Sequence, residues 1–211
     1  MRAIRATTLE ASAEVRVERQ SVAGASYSWG MKLYEGDPRR VASLLPGRGY
    51  TPNYPLLHFT RRILTDRGWT VRELWWSRGM AMTVPEALVE AGAFVREVDP
   101  PGLHLVVGKS LGTLAAPAAV DLAIPAVWLT PLLREDHVRG AIDLTLEPTL
   151  LVGGSADPSW SKEIASETRC QVHEVRGGDH ALEIPGSVRD SLKALESVMR
   201  RVEDFIAGLE T

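Results

Sequence analysis

The sequence predicts an α/β protein with a mostly parallel central sheet and helices on both faces. Three observations lead there. From residue 41 onward, short β-rich apolar runs alternate with stretches of helical periodicity, and such alternation builds a parallel sheet through crossover helices. Runs 103–107, 126–130 and 149–152 lack polar alternation, which marks strands buried on both faces. Glycine, proline and aspartate cluster where the runs stop, as turns require.

Taken in order, residues 13–17 and 27–34 read as two early strands joined through a turn containing Gly24. Gly36, Asp37 and Pro38 carry strong turn signals. Residues 41–45 form a short buried strand that stops at Pro46-Gly47. Residues 54–67 have apolar side chains at helical spacing (Leu57, Ile63, Leu64) and stop at Gly68. Residues 70–76 are a further strand. A helix over 83–98 opens with Thr83 as N-cap and Glu86 three positions on, a capping box. After strand 103–107 comes an Ala-rich helix, 111–122, which Pro117 should perturb. Strands 126–130 and 149–152 flank residues 131–148, which leave room for one short helix. Helix 161–168, strand 170–175 and helix 187–209 complete the order.

The 211 residues suit one domain spanning 1–211. Hydrophobic residues make up 45% and charged residues 24%, an ordinary globular composition. A net charge of -3 gives no electrostatic reason to expect nucleic acid or an anionic membrane. No run approaches the ~20 apolar residues that span a bilayer. The opening residues lack the apolar run of a secretory signal. Cys170 is the sole cysteine, so no intramolecular disulfide can form. A reducing, cytoplasmic setting is the expectation.

Chemistry in a parallel sheet collects outside the carboxyl ends of the strands. Strand 103–107 runs into Gly108-Lys109-Ser110-Leu111-Gly112, and a helix follows. A serine on so sharp a turn projects its hydroxyl above the sheet. Side chains two positions either side of it would collide with neighbouring backbone, hence the glycines. The following helix start aims N–H groups at a developing oxyanion. Three fixed residues in five are a weak pattern alone; the strand–turn–helix context makes Ser110 the candidate nucleophile.

A serine hydroxyl needs a base, and the base needs an acid to orient it. Strand 149–152 ends in Gly153-Gly154-Ser155-Ala156-Asp157-Pro158, which puts Asp157 at a strand's carboxyl end. Asp157 also suits a plain helix cap. Asp179, Asp136 and Asp143 are rival acids, none directly after a core strand. Strand 170–175 is followed by Arg176-Gly177-Gly178-Asp179-His180. His180 is therefore the candidate base. His58, His104, His137 and His173 fall within helices or strands and read as structural or solvated.

The segments LLPGRGY, VVGKSLGT, LLVGGSADPSW and VRGGDHAL, in this order, resemble the α/β-hydrolase superfamily. They are most similar to its small, lidless members near the dienelactone hydrolases and carboxylesterases. The resemblance runs from Val41 onward. It implies antiparallel N-terminal edge strands, no cap domain, and the chain order Ser110, Asp157, His180 for a catalytic triad. It also implies an oxyanion hole from the N–H of Leu111 and a donor in the loop after strand 41–45, with Arg48 first and Gly49 next. The loop departs from many members in starting Pro46-Gly47 rather than His-Gly. No metal or other cofactor is implied. The expected activity is a serine acyl hydrolase acting on small-molecule carboxylic esters or thioesters. Amide or C–C bond cleavage would use the same residues. The rival is a non-catalytic protein of this fold that binds a ligand or partner, since fold alone does not carry activity. Trp75, Trp76 and Trp160 lie near strand ends and could line an apolar acyl pocket or simply pack. Lys109 could approach the site or be solvated.

Overall fold

The computed structural model describes the backbone of residues 14–22 and 25–29, and residues 30–98 and 102–211 in full. Ala13 and the turn at Gly24 lie outside the described residues. These residues form one eight-stranded sheet in the order β1-β2-β4-β3-β5-β6-β7-β8. The strands are β1 (Glu14–Val22), β2 (Ala25–Tyr34), β3 (Asp37–Leu45), β4 (Trp69–Trp75), β5 (Leu103–Lys109), β6 (Ala126–Leu129), β7 (Thr149–Gly154) and β8 (Gln171–Val175). β2 runs antiparallel to β1 and β4; all other pairings are parallel. The antiparallel pair sits at one edge, as expected.

Helices cover both faces. Helix α1 (Pro55–Asp66) and α6 (Val188–Leu209) pack on one side; α2 (Val84–Arg96), α3 (Ala116–Asp121), α4 (Asp136–Leu144) and α5 (Lys162–Glu167) pack on the other. The central strands alternate between these layers. Leu44 joins the α1/α6 side and its neighbour Leu45 the α2/α3 side, because consecutive strand side chains point oppositely. Helix α6 is held by Ala194, Val198, Val202, Phe205 and Ile206, spaced for one face. Burying each large member stabilises the fold by about 2 kcal/mol. Thr83 donates from its N–H and hydroxyl to the Glu86 carboxylate, so α2 starts at the expected cap. Among the described residues no helix is long and apolar enough to cross a membrane.

Two elements differ from the sequence reading. β3 begins at Asp37, four residues before Val41, so the Gly36-Asp37-Pro38 signal is not a free-standing turn. The register slips between Asp37 and Val41. The Asp37 carboxylate accepts the Arg39 N–H at 2.9 Å, so the turn chemistry is spent on an irregular strand lead-in. The helix expected over 111–122 is divided. Ser110–Ala115 winds as a 3₁₀ turn, and α3 starts only at Ala116, with Pro117 in its first turn. Proline lacks the N–H an α-helix interior needs, but the first turn has no use for one.

One buried histidine makes the fold acid-sensitive. His104 on β5 is buried, with Nε2 3.0 Å from the Ser43 hydroxyl. Burial, then the Arg72 charge, pushes its pKa down to about 4. An unfolded histidine titrates near ~6.5. Between those values the unfolded chain holds a proton that the folded one refuses. Stability therefore falls as pH drops from about 6.5 to about 4, by on the order of 3 kcal/mol. Melting curves of the parent and His104→Gln between pH 7 and 4.5 check this. The parent should lose about 5–10 °C more than the variant across that range; parallel slopes would contradict it.

Candidate active site

The sheet's carboxyl edge brings three of the singled-out side chains into one line. Ser110 follows β5 and carries φ +51°, a left-handed conformation that strains any residue with a Cβ. The glycines around it have the expected reason. A Cβ on Gly112 would lie 2.2 Å from the Leu45 carbonyl oxygen, and one on Gly108 2.6 Å from that of Gly112. The turn is pinned from beyond as well: the Thr113 hydroxyl donates to the Ser110 carbonyl at 2.6 Å. The Ser110 hydroxyl lies 2.7 Å from His180 Nε2, and His180 Nδ1 lies 2.8 Å from Asp157 Oδ2. An ionised carboxylate only accepts, so Nδ1 carries the ring proton and Nε2 accepts from the serine.

Asp157 and His180 come from adjacent strands, β7 and β8, and their loops are laced together. Ser155 N–H donates to Val175 O at 3.0 Å, Ala156 N–H to Gly178 O at 2.9 Å, and Gly177 N–H to the Ser155 hydroxyl at 2.7 Å. A Cβ on Gly154 would fall 2.1 Å from the Gly178 oxygen, so only glycine admits this approach. The Asp157 side chain is fully buried. Burial pushes its pKa up, but hydrogen bonds from His180 and the Ser159 N–H and the charges of His180 and Lys109 outweigh that, holding it below the ordinary carboxylate value. It is anionic at neutral pH.

The rival acids point elsewhere. Asp179 Oδ1 accepts the N–H groups of Ala181 and Glu183 at 2.8 and 3.0 Å, bracing the histidine's own loop. Asp136 and Asp143 lie on α4. Of the other histidines, His58 lies on α1 beside Arg61, His137 on α4, and His173 on β8 near Ser197.

A cleft of about 800 Å³ opens over Ser110, walled by Leu111, Leu132, Val84 and Ala181 and edged by Arg48. Arg48, Gly49 and Leu111 all line it, on the side of Ser110 where the loop after β3 packs against the elbow. Within residues 131–148 the one helix is α4, and Leu132 and Glu135 just before it line the cleft. The tryptophans do not line the cleft. Trp76 is buried with its indole N–H on Pro46 O at 3.2 Å, and Trp160 is buried with its N–H on Glu174 at 2.9 Å. Each indole has a fixed hydrogen-bond partner and an apolar packing site, which is the packing alternative. Trp75 pairs across strands with Gly30.

Two residues near the site gain roles the sequence left open or missed. Lys109 is 3% exposed, not solvated. Its Nζ donates to the His180 carbonyl at 3.0 Å and sits 4.7 Å over the Tyr50 ring. Burial lowers its pKa to about 8, opposed by the charges of Asp157 and Asp179. The Tyr50 hydroxyl in turn accepts the Leu56 N–H at the start of α1. A lysine next to the serine, inside an apolar strand's exit, was the signal for the first. Nothing local marked Tyr50, which is joined to the site only through the fold.

No family model and no curated protein matches the chain. Solved structures do. Est1E from Butyrivibrio proteoclasticus, solved with ferulic acid bound, aligns with a TM-score of 0.68 at 13% identity, covering 90% of this chain and 98% of that one. An α/β serine hydrolase without a lid from Xanthomonas campestris aligns with a TM-score of 0.65 at 14% identity, over 93% and 95%. Dienelactone hydrolase from Anabaena variabilis aligns with a TM-score of 0.64 at 16% identity, over 93% and 98%. The chain therefore has the α/β-hydrolase fold in its lidless form.

Proposed function

We propose that the protein is a serine acyl hydrolase of carboxylic esters or thioesters. The observation carrying this is the unbroken hydrogen-bonded line from Ser110 through His180 to buried Asp157, opening on the cleft. Ser110 Oγ attacks the substrate carbonyl carbon and its proton passes to His180 Nε2. The oxyanion that forms is met by the N–H groups of Leu111 and Arg48. Collapse breaks the bond to the leaving oxygen or sulfur, which takes the proton from Nε2. Water then attacks the acyl-serine, giving its proton to Nε2. The carboxylic acid leaves and Ser110 recovers its hydrogen. Asp157 keeps the imidazole in the required tautomer throughout.

A binding-only protein has no use for a strained serine held 2.7 Å from an oriented imidazole, so the non-catalytic alternative is not favoured. The test is a fluorophosphonate probe with the adduct located by mass spectrometry, alongside p-nitrophenyl ester, thioester and anilide substrates. The expected result is one adduct per chain, on Ser110, with turnover of the ester or thioester. No adduct and no turnover would sink the reading.

A further inference from the structure

A second hollow of about 550 Å³ adjoins the cleft over Ser110 past Ala181, and Tyr50, Asp179 and Ala181 line both. A volume of that size suits a small-molecule arm. Its base is apolar: Leu56 and Leu182 are buried there. Its rim is the start of α6, where Val188, Leu192 and Leu195 stand at i, i+4 and i+7 on one stripe. Leu195 also packs against the core that α6 covers at Ala194, Val198 and Val202, while Val188 and Leu192 lie beyond it. Val188 is 79% and Leu192 62% exposed, so apolar surface stands open beside the site. The charged residues lining the hollow, Asp179 and Glu183, are both acidic. The Asp179 carboxylate is already committed to two backbone N–H groups. An anionic arm would be repelled here, and an uncharged hydrocarbon would gain by covering the open side chains.

The position also says which arm. Nε2 of His180 must reach the leaving oxygen to hand over its proton, so the leaving group lies against His180. The hollow starts at the very next residue, Ala181. That leaves the acyl group to the rest of the cleft, which Leu111, Leu132 and Val84 line. We infer that the hollow beyond Ala181 holds an uncharged hydrocarbon chain on the leaving alcohol, making esters of apolar alcohols the preferred substrates. This inference rests on the acyl-hydrolase reading.

Two ester series separate the arms in the intact protein. In one, acetyl is fixed while the alcohol grows from ethyl to hexyl; in the other, ethyl is fixed while the acid grows from acetic to hexanoic. A fully buried methylene is worth about 0.8 kcal/mol, about fourfold. For a chain in an open groove, kcat/KM should rise at least about tenfold across the alcohol series, against less than about threefold across the acid series. Leu192→Asp should cut the hexyl-to-ethyl ratio about tenfold. Phe59→Asp, at an apolar residue 44% exposed in a different hollow, should leave that ratio alone. A flat alcohol series with ethyl acetate still cleaved overturns the inference and leaves the hydrolase standing. A rise confined to the acid series also overturns it, because the hollow then holds the acyl chain. No cleavage of either series, together with no fluorophosphonate adduct, removes the hydrolase reading and this inference with it.

Discussion

Ser110→Ala should lose all fluorophosphonate labelling and at least about 10⁴-fold in ester turnover, because the proposed mechanism forms the acyl bond on the hydroxyl that is removed. Its fold should survive. Alanine fills the same Cβ position, and the turn is set by the packing of Gly108 and Gly112 and by the Thr113 hydroxyl, not by the serine oxygen. A companion variant reads the strain itself. At φ +51° alanine is as strained as serine, whereas glycine adopts that conformation freely. Ser110→Gly should be equally inactive yet melt above Ser110→Ala by about 2–4 °C, the equivalent of about 1 kcal/mol in a chain of this size. Turnover by either variant at the parental rate would remove Ser110 from the chemistry. A glycine variant melting below the alanine one would remove the strain.

Asp157→Asn carries the second large effect, about 10⁴-fold in turnover. The side chain is fully buried and its Oδ2 receives His180 Nδ1–H at 2.8 Å. An amide there no longer fixes that proton on Nδ1, so Nε2 stops being a reliable acceptor for the serine. Slow labelling should persist, since Ser110 and the cleft are intact. Asp179→Asn is the contrast. Asp179 works as an acceptor of the Ala181 and Glu183 N–H groups, and an asparagine oxygen can accept both. Most activity should remain, and any loss should track a lower melting temperature. Turnover of both variants on one activated ester decides the matter. An inactive Asp179→Asn beside an active Asp157→Asn would leave Asp157 only its loop-bracing role as acceptor of the Ser159 N–H.

Much of this was legible in the chain itself. Apolar runs such as 103–107 and 149–152 mark buried parallel strands because a central strand has no polar face to show. The elbow glycines were readable because a strand–turn–helix elbow packs its backbone tightly, here against the Leu45 carbonyl, which excludes a Cβ at Gly112. Ser110, Asp157 and His180 could be singled out because strand exits of a parallel sheet converge on one edge. Local chemistry misled where long-range pairing overrode it. Gly36-Asp37-Pro38 reads as a turn, yet pairing of Asp37 with Trp69 draws it into β3.

What the sequence by itself determined is therefore the order of elements and which residues stand at strand exits, since both follow from periodicity and steric exclusion along the chain. Only the tertiary structure decided the rest. It chose Asp157 over Asp179 to face the imidazole, through backbone bonds between the β7 and β8 loops that no local pattern encodes. It sent Trp76 and Trp160 into the core, because each indole N–H found a fixed acceptor there. It buried Lys109 between Tyr50 and the His180 carbonyl. These contacts join residues up to 71 positions apart, and their energies depend on distances that exist only once the sheet has assembled.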